Sequence, residues 1–276
     1  MRRVGNLLFF PLVAGYCLVF LVQENLFKER VVILHPVPAA SFLRATTGYL
    51  HQLTAEILFV QSAVFLGGLK PGTDPLPHTP VLAHNYKQIT TLYPEFNDPY
   101  YYAQSYLSTV APEFAQAAND ILATGRKAYP DNLIYPFFQG FNLFRYLDEP
   151  LKAAEVFREA SLLPEAPPMF AHLAAILAAQ GGQLQAAILS LHSMLKSTDD
   201  EGIKKRYKEE MEMFRQALNV QSAADAFQAA HQRYPASLDE LVPDFLPTLP
   251  SFGQAFELTW KEPVVSLKRP SRKQNN

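Results

Sequence analysis

Proline recurs along this chain at a fixed beat. Tyr93-Pro94, Tyr129-Pro130 and Leu163-Pro164 stand 36 and 34 residues apart. The small residues Ala118, Ala153 and Ala187 recur at 35 and 34, each followed four residues on by Leu122, Phe157 or Leu191 and seven on by Gly125, Ala160 or Met194. Self-similarity at a period of this size means one supersecondary unit used several times, and it constrains the fold more than any composition figure. A small residue lets two antiparallel helices approach, a large apolar one fills the next layer, and a proline closes the pair.

Local signals set the phase of those helices. Asp98 precedes Pro99, Asp131 and Asn132 precede an apolar run, Glu149 precedes Pro150, and Pro167-Pro168 precedes Met169. Each is a helix-start pattern. From Ser41 to Leu66 the apolar residues Phe42, Ala45, Tyr49, Leu53, Ile57, Val60 and Val64 recur every three or four positions, which predicts one long helix burying that face, paired with a helix over Val81–Leu92. Glu201–Asn219 and Gln221–Arg233 read as a closing pair.

Phe137, Gly140, Phe144, Ala153, Phe157, Ala160 and Pro164 resemble the tetratricopeptide-repeat pattern, and with the neighbouring units the resemblance covers Asp98 to Asp199, nearly three repeats. No unit carries the family's tryptophan, and its glycine is displaced by one at Gly140. The resemblance implies an all-α chain, an α-solenoid over 41–219, and a concave groove that takes a protein partner. Carried across, the groove positions are Tyr100, Ala103 and Leu107, then Tyr135, Phe138, Asn142 and Arg145, then Met169, His172 and Ile176. It also implies that Asn142 with Arg145 holds a carboxylate or a peptide backbone. Tyr102 and Phe137 are read as core.

The N-terminus adds a membrane. Arg2 and Arg3 precede an uncharged stretch from Val4 to Val22, long enough at about 1.5 Å per residue to nearly match a hydrocarbon core of about 30 Å. No small-x-small site follows it, so 1–30 is read as a retained anchor, a single transmembrane helix, rather than a cleaved leader. With the short basic side inside, the bulk is expected outside the cytoplasm, in the periplasm if the source is a bacterium. A spacer over 31–40 leads to the solenoid.

Beyond it, 220–268 reads as a capping subdomain: Ser237 and Glu240 at capping-box spacing open a short helix, and two alternating strands flank Lys261-Glu262-Pro263. Tyr234-Pro235, Ser237-Leu238 and Glu240-Leu241-Val242 resemble a motif of bacterial exported and pseudopilin-like proteins. Residues 269–276 form a basic tail, expected to be disordered.

Composition narrows the function. Charged residues make up 18% and hydrophobic ones 49%, with a net charge of −2, so no global basic field exists for nucleic acid. The single cysteine, Cys17, rules out an intrachain disulfide. The seven histidines show no metal-ligand spacing, and no GxSxG, Walker or GxGxxG motif occurs, so no catalytic, cofactor or metal residue is assigned. The expectation is a membrane-anchored scaffold, not an enzyme, acting in assembly or export of an envelope or extracellular structure. A structural subunit of a secretion or pilus-like machine, and an envelope-polymer enzyme, are the alternatives.

Overall fold

The computed structural model describes residues 11, 13–23 and 34–270. Residues 4–10 and Leu12 of the expected span, 31–33 of the spacer and 271–276 of the basic tail lie outside them.

The described residues are mostly helical, with one two-stranded sheet among them. Its helices are α1 (Val13–Gln23), α2 (Ala40–Thr47), α3 (His51–Gly67), α4 (Thr79–Leu92), α5 (Asp98–Leu107), α6 (Pro112–Ala128), α7 (Ile134–Arg145), α8 (Pro150–Ala160), α9 (Pro168–Gln180), α10 (Leu184–Ser197) and α11 (Glu201–His231). From α3 onward each helix packs on the next.

Proline starts many of them: α4, α5, α6, α8 and α9 carry one in the first turn, where its missing N–H has no intrahelical partner to lose. The recurrent Tyr-Pro pairs do the opposite job. Tyr93 and Tyr129 both leave the helical region, at φ −135° and −130°, because the following proline excludes helical backbone before it. Tyr129 then donates its hydroxyl to the carbonyl of Glu95, 34 residues earlier, at 2.7 Å, and Arg126 pairs with Glu159 33 residues later at 2.8 Å. One unit is thus tied to the next at the repeat distance.

The repeated interior positions match in burial. Ala118, Ala153 and Ala187 are fully buried, and Leu122, Phe157 and Leu191 are buried beside them. Two hydrophobic clusters result. One joins Phe59, Phe65, Leu82, Tyr86, Ile89, Tyr100 and Leu122; the other joins Phe157, Phe170, Leu177, Leu191, Phe214 and Leu267. Each large side chain so buried contributes about 1.5–3 kcal/mol.

Two expected elements differ. The helix expected over 41–66 is interrupted at Gly48, which takes φ +52° before a 3-10 turn, Gly48–Leu50. Its buried side is also not the expected one. Ala55, Phe59, Ser62 and Phe65 face the interior, while Phe42, Tyr49, Leu53, Ile57, Val60 and Val64 are exposed. The segment is apolar nearly all round, so spacing alone does not choose a face; the aromatic partners do. Phe59 makes edge contacts with Phe96 and Tyr102, at 5.1 and 5.0 Å, and Phe65 with His78 at 5.1 Å. Tyr102 remains 42% exposed rather than core.

At the other end, the expected pair Glu201–Asn219 and Gln221–Arg233 is one helix of 31 residues. No glycine or proline lies at 219–221, and the buried stripe Tyr207, Met211, Phe214, Ala217, Val220, Ala224, Phe227 runs through without a break. Asp200 caps its start, accepting from the Ile203 N–H at 2.9 Å. The expected short helix at 238 is a single 3-10 turn, Leu238–Leu241, and Glu240 Oε1 accepts from the Ala236 N–H rather than closing a full capping box with Ser237. The expected hairpin forms as β1 (Glu257–Lys261) antiparallel to β2 (Val264–Lys268), with Thr259 opposite Ser266. Val265 and Leu267 are buried on the side of β2 that meets α9 and α11.

Candidate functional site

Seven of the ten expected groove residues are buried: Tyr100, Ala103, Leu107, Tyr135, Asn142, His172 and Ile176. Phe138 is half-buried against the first hydrophobic cluster. Arg145 and Met169 are exposed. The reason lies in side chains that reach from α5 to α7 across the interior. Tyr100 and Tyr135 contact edge to face at 5.2 Å, and the Tyr135 hydroxyl donates to Asn97 Oδ1 at 2.7 Å. Desolvation pushes both phenols above the usual range, Tyr135 up to about 12.

Asn142 sits in a buried amide layer. Its Nδ2 donates to Gln104 Oε1 at 2.7 Å and to Asn119 Oδ1 at 2.9 Å, and its Oδ1 accepts from Gln104 Nε2 at 3.1 Å. Ser108 donates to Gln104, and Gln139 to the Asn119 carbonyl. The expected carboxylate clamp is therefore not assembled: the amide of Asn142 is occupied inside the protein, while Arg145 lies outside, 5.8 Å over the ring of Tyr146. These side chains join successive helix pairs instead of lining an open groove.

A cleft of about 720 Å³ opens elsewhere, between the start of α8, the end of α9 and the hairpin. Phe144, Leu151 and Val264 supply apolar wall. Lys152, Lys261, Lys268 and Arg269 supply positive charge, and Asp148, Glu149 and Glu262 negative charge. Local backbone builds this cleft. Asp148 takes φ +52° and the Glu149 N–H donates to the Leu143 carbonyl at 2.8 Å, turning α7 into α8. Gly181 and Gly182 lie so near Leu151 and Val264 that a Cβ at either would displace those side chains, and Gly182 has φ +85° besides. The polar side of the hairpin, where Thr259 and Ser266 hydrogen-bond at 2.8 Å, faces the opening. The cleft thus combines apolar wall with charges of both signs at its rim.

His172 has a setting the sequence does not announce. Its Nε2 lies 2.8 Å from Glu210 Oε2, and Arg206 approaches its Nδ1 at 3.1 Å. Both His172 and Glu210 are buried, so α9 and α11 are joined by a polar contact inside the second cluster. Glu210 and Arg206 escape sequence reading because they lie 38 and 34 residues away. One signal is present: Glu210 falls in the same three-to-four stripe as Tyr207, Met211 and Phe214. His192 is exposed on α10. Among the described residues no group of three His, Cys, Asp or Glu side chains is arranged to hold a metal ion. Comparison with known proteins adds no relative: no family model, no curated protein and no solved structure matches this chain.

Proposed function

We propose that this chain is a membrane-anchored helical-repeat scaffold that binds an extended segment of a protein partner outside the cytoplasm, in the assembly or export of an envelope or extracellular structure. One observation carries the reading. A cleft of about 720 Å³ opens where α8 and α9 meet the hairpin, and its wall combines Phe144, Leu151 and Val264 with charged groups of both signs. A rim of that kind selects a peptide by side chain and charge together. The tetratricopeptide-like solenoid is supported by the repeated burial of Ala118, Ala153 and Ala187 and by contacts between successive helices. The anchor is supported by the uncharged stretch ending at Val22.

The test is photocross-linking in intact cells with a benzoylphenylalanine at position 151, followed by partner identification. One dominant protein adduct is expected, and Lys152→Glu with Lys261→Glu is expected to remove most of it. An adduct that survives the double charge reversal unchanged overturns the cleft as the binding site.

A further inference from the structure

The stretch Ala40–Gly67 buries one side and leaves the other bare. Leu43, Ala55, Phe59 and Phe65 are buried toward the body of the protein. On the other side Phe42, Tyr49, Leu53, Ile57, Val60 and Val64 are each at least 50% exposed. At about 100° per residue, Leu53, Ile57, Val60 and Val64 fall within an arc of about 60°, with Glu56 and Gln61 bordering it on either side. This is a continuous stripe, not scattered surface apolarity. A helix apolar all round requires apolar surroundings all round, and the protein supplies only half of them.

What covers the other half follows from position and chemistry. Only residues 23–39 separate Ala40 from the end of the uncharged N-terminal segment at Val22. Even fully extended, they reach no more than about 60 Å, so the stripe is tethered to the bilayer that the segment enters. The stretch holds two charged side chains, Arg44 and Glu56. Arg44 is turned toward the protein, donating to the Thr91 and Leu92 carbonyls at the end of α4. Tyr49 stands fully exposed beside the Gly48 break, an aromatic of the kind that settles at a lipid headgroup boundary. Among the described residues this is also the one helical stretch long and apolar enough to cross a membrane. Crossing would strip Phe59 and Phe65 from their partners on α4 and beyond. Lying flat keeps them.

We propose that α2 and α3 lie on the outer surface of the bilayer with this stripe turned into the acyl boundary, a second attachment beside the N-terminal span. The proposal rests on the anchored reading given above. The transmembrane span holds the chain at the bilayer, so even a modest interfacial attachment is made at high effective concentration, and it fixes how the helix stack stands on the membrane.

The test uses the full chain reconstituted into vesicles of phosphatidylcholine and phosphatidylglycerol, in a Cys17→Ser background with one new cysteine carrying an NBD dye. Val60→Cys is compared with Lys196→Cys, an exposed position on α10. The dye at 60 is expected to shift to the blue and to be quenched about threefold more than the dye at 196 by lipids spin-labelled near the headgroup. If the chain floats with the vesicles yet position 60 is quenched by aqueous iodide as readily as position 196, the surface-lying helix is overturned and the anchor stands. If the chain does not float at all, the anchored reading falls, and this inference with it. Protection at 60 without lipid quenching also overturns it. Protection that grows with protein concentration would assign the stripe to a second copy.

Discussion

Gly140 in α7 stands directly against the ring of Phe157 in α8: a Cβ at position 140 would lie 2.6 Å from Cε2 of the phenyl. The ring has little room to retreat, being buried between Phe137 and Phe170 at centroid distances of 6.3 and 5.9 Å. On an exposed helix, glycine to alanine would stabilise by about 1 kcal/mol. Here the overpacking term of about 1–3 kcal/mol is expected to win. Gly140→Ala should lower the urea midpoint, and adding Phe157→Leu should recover part of the loss. A midpoint that rises with Gly140→Ala alone would show slack between α7 and α8 that the geometry denies.

Asn142 holds three helices through Gln104 and Asn119. Its loss strands two buried amides, each worth about 1–3 kcal/mol when unsatisfied. Asn142→Ala should therefore destabilise more than removal of the exposed Arg145 by alanine. Because Gln104 and Asn142 serve one another, their double alanine variant should cost less than the sum of the singles by about 0.5 kcal/mol or more. Strict additivity in chemical denaturation would mean that the amides act independently.

The sequence was legible where a local rule acts alone. Proline before an apolar run sets the starts of α5, α8 and α9, and the Tyr-Pro pairs set the ends of α4 and α6, because both follow from backbone sterics. The orientation of α3 was not legible. A helix apolar on both sides has no periodic signal to choose between Leu53 and Phe59, and the choice is made by Tyr86, Phe96 and Tyr102, residues far along the chain. The same holds for the expected groove. The repeat spacing marks Tyr135 and Asn142 as groove positions, but whether they face a cleft or a neighbouring helix depends on how tightly successive pairs close, which Gly125 and Gly140 decide through contacts with Tyr135 and Phe157. The cleft at α8 needed Gly181, Gly182 and the hairpin together, a juxtaposition of segments far apart in the chain.

Tyr86 and Tyr100 are both fully buried, yet their hydroxyls differ. Tyr100 donates to the Pro94 carbonyl at 2.8 Å, whereas the Tyr86 hydroxyl has no hydrogen-bond partner among the described residues. A buried, unsatisfied hydroxyl is a liability of about 1–3 kcal/mol, and a satisfied one a gain of about 1 kcal/mol. Tyr86→Phe is thus expected to raise the unfolding midpoint and Tyr100→Phe to lower it. Equal shifts in the same direction would remove the distinction.

Alkaline pH should unfold the amino-terminal half by a defined route. Burial raises the phenols of Tyr86 and Tyr100 above the usual range and, with Tyr101 and Tyr129 nearby, lifts Tyr135 to about 12. A folded-state pKa above the unfolded value of about 10 favours the neutral phenol in the native state. The associated stability is fully present below about pH 10 and is lost as pH rises toward about 12, because the unfolded chain ionises first. Tyrosinate absorbance should therefore rise in two stages, exposed tyrosines first and these three together with the loss of far-ultraviolet circular dichroism. A single early stage, complete while the helical signal is intact, would show that water reaches these rings in the folded protein.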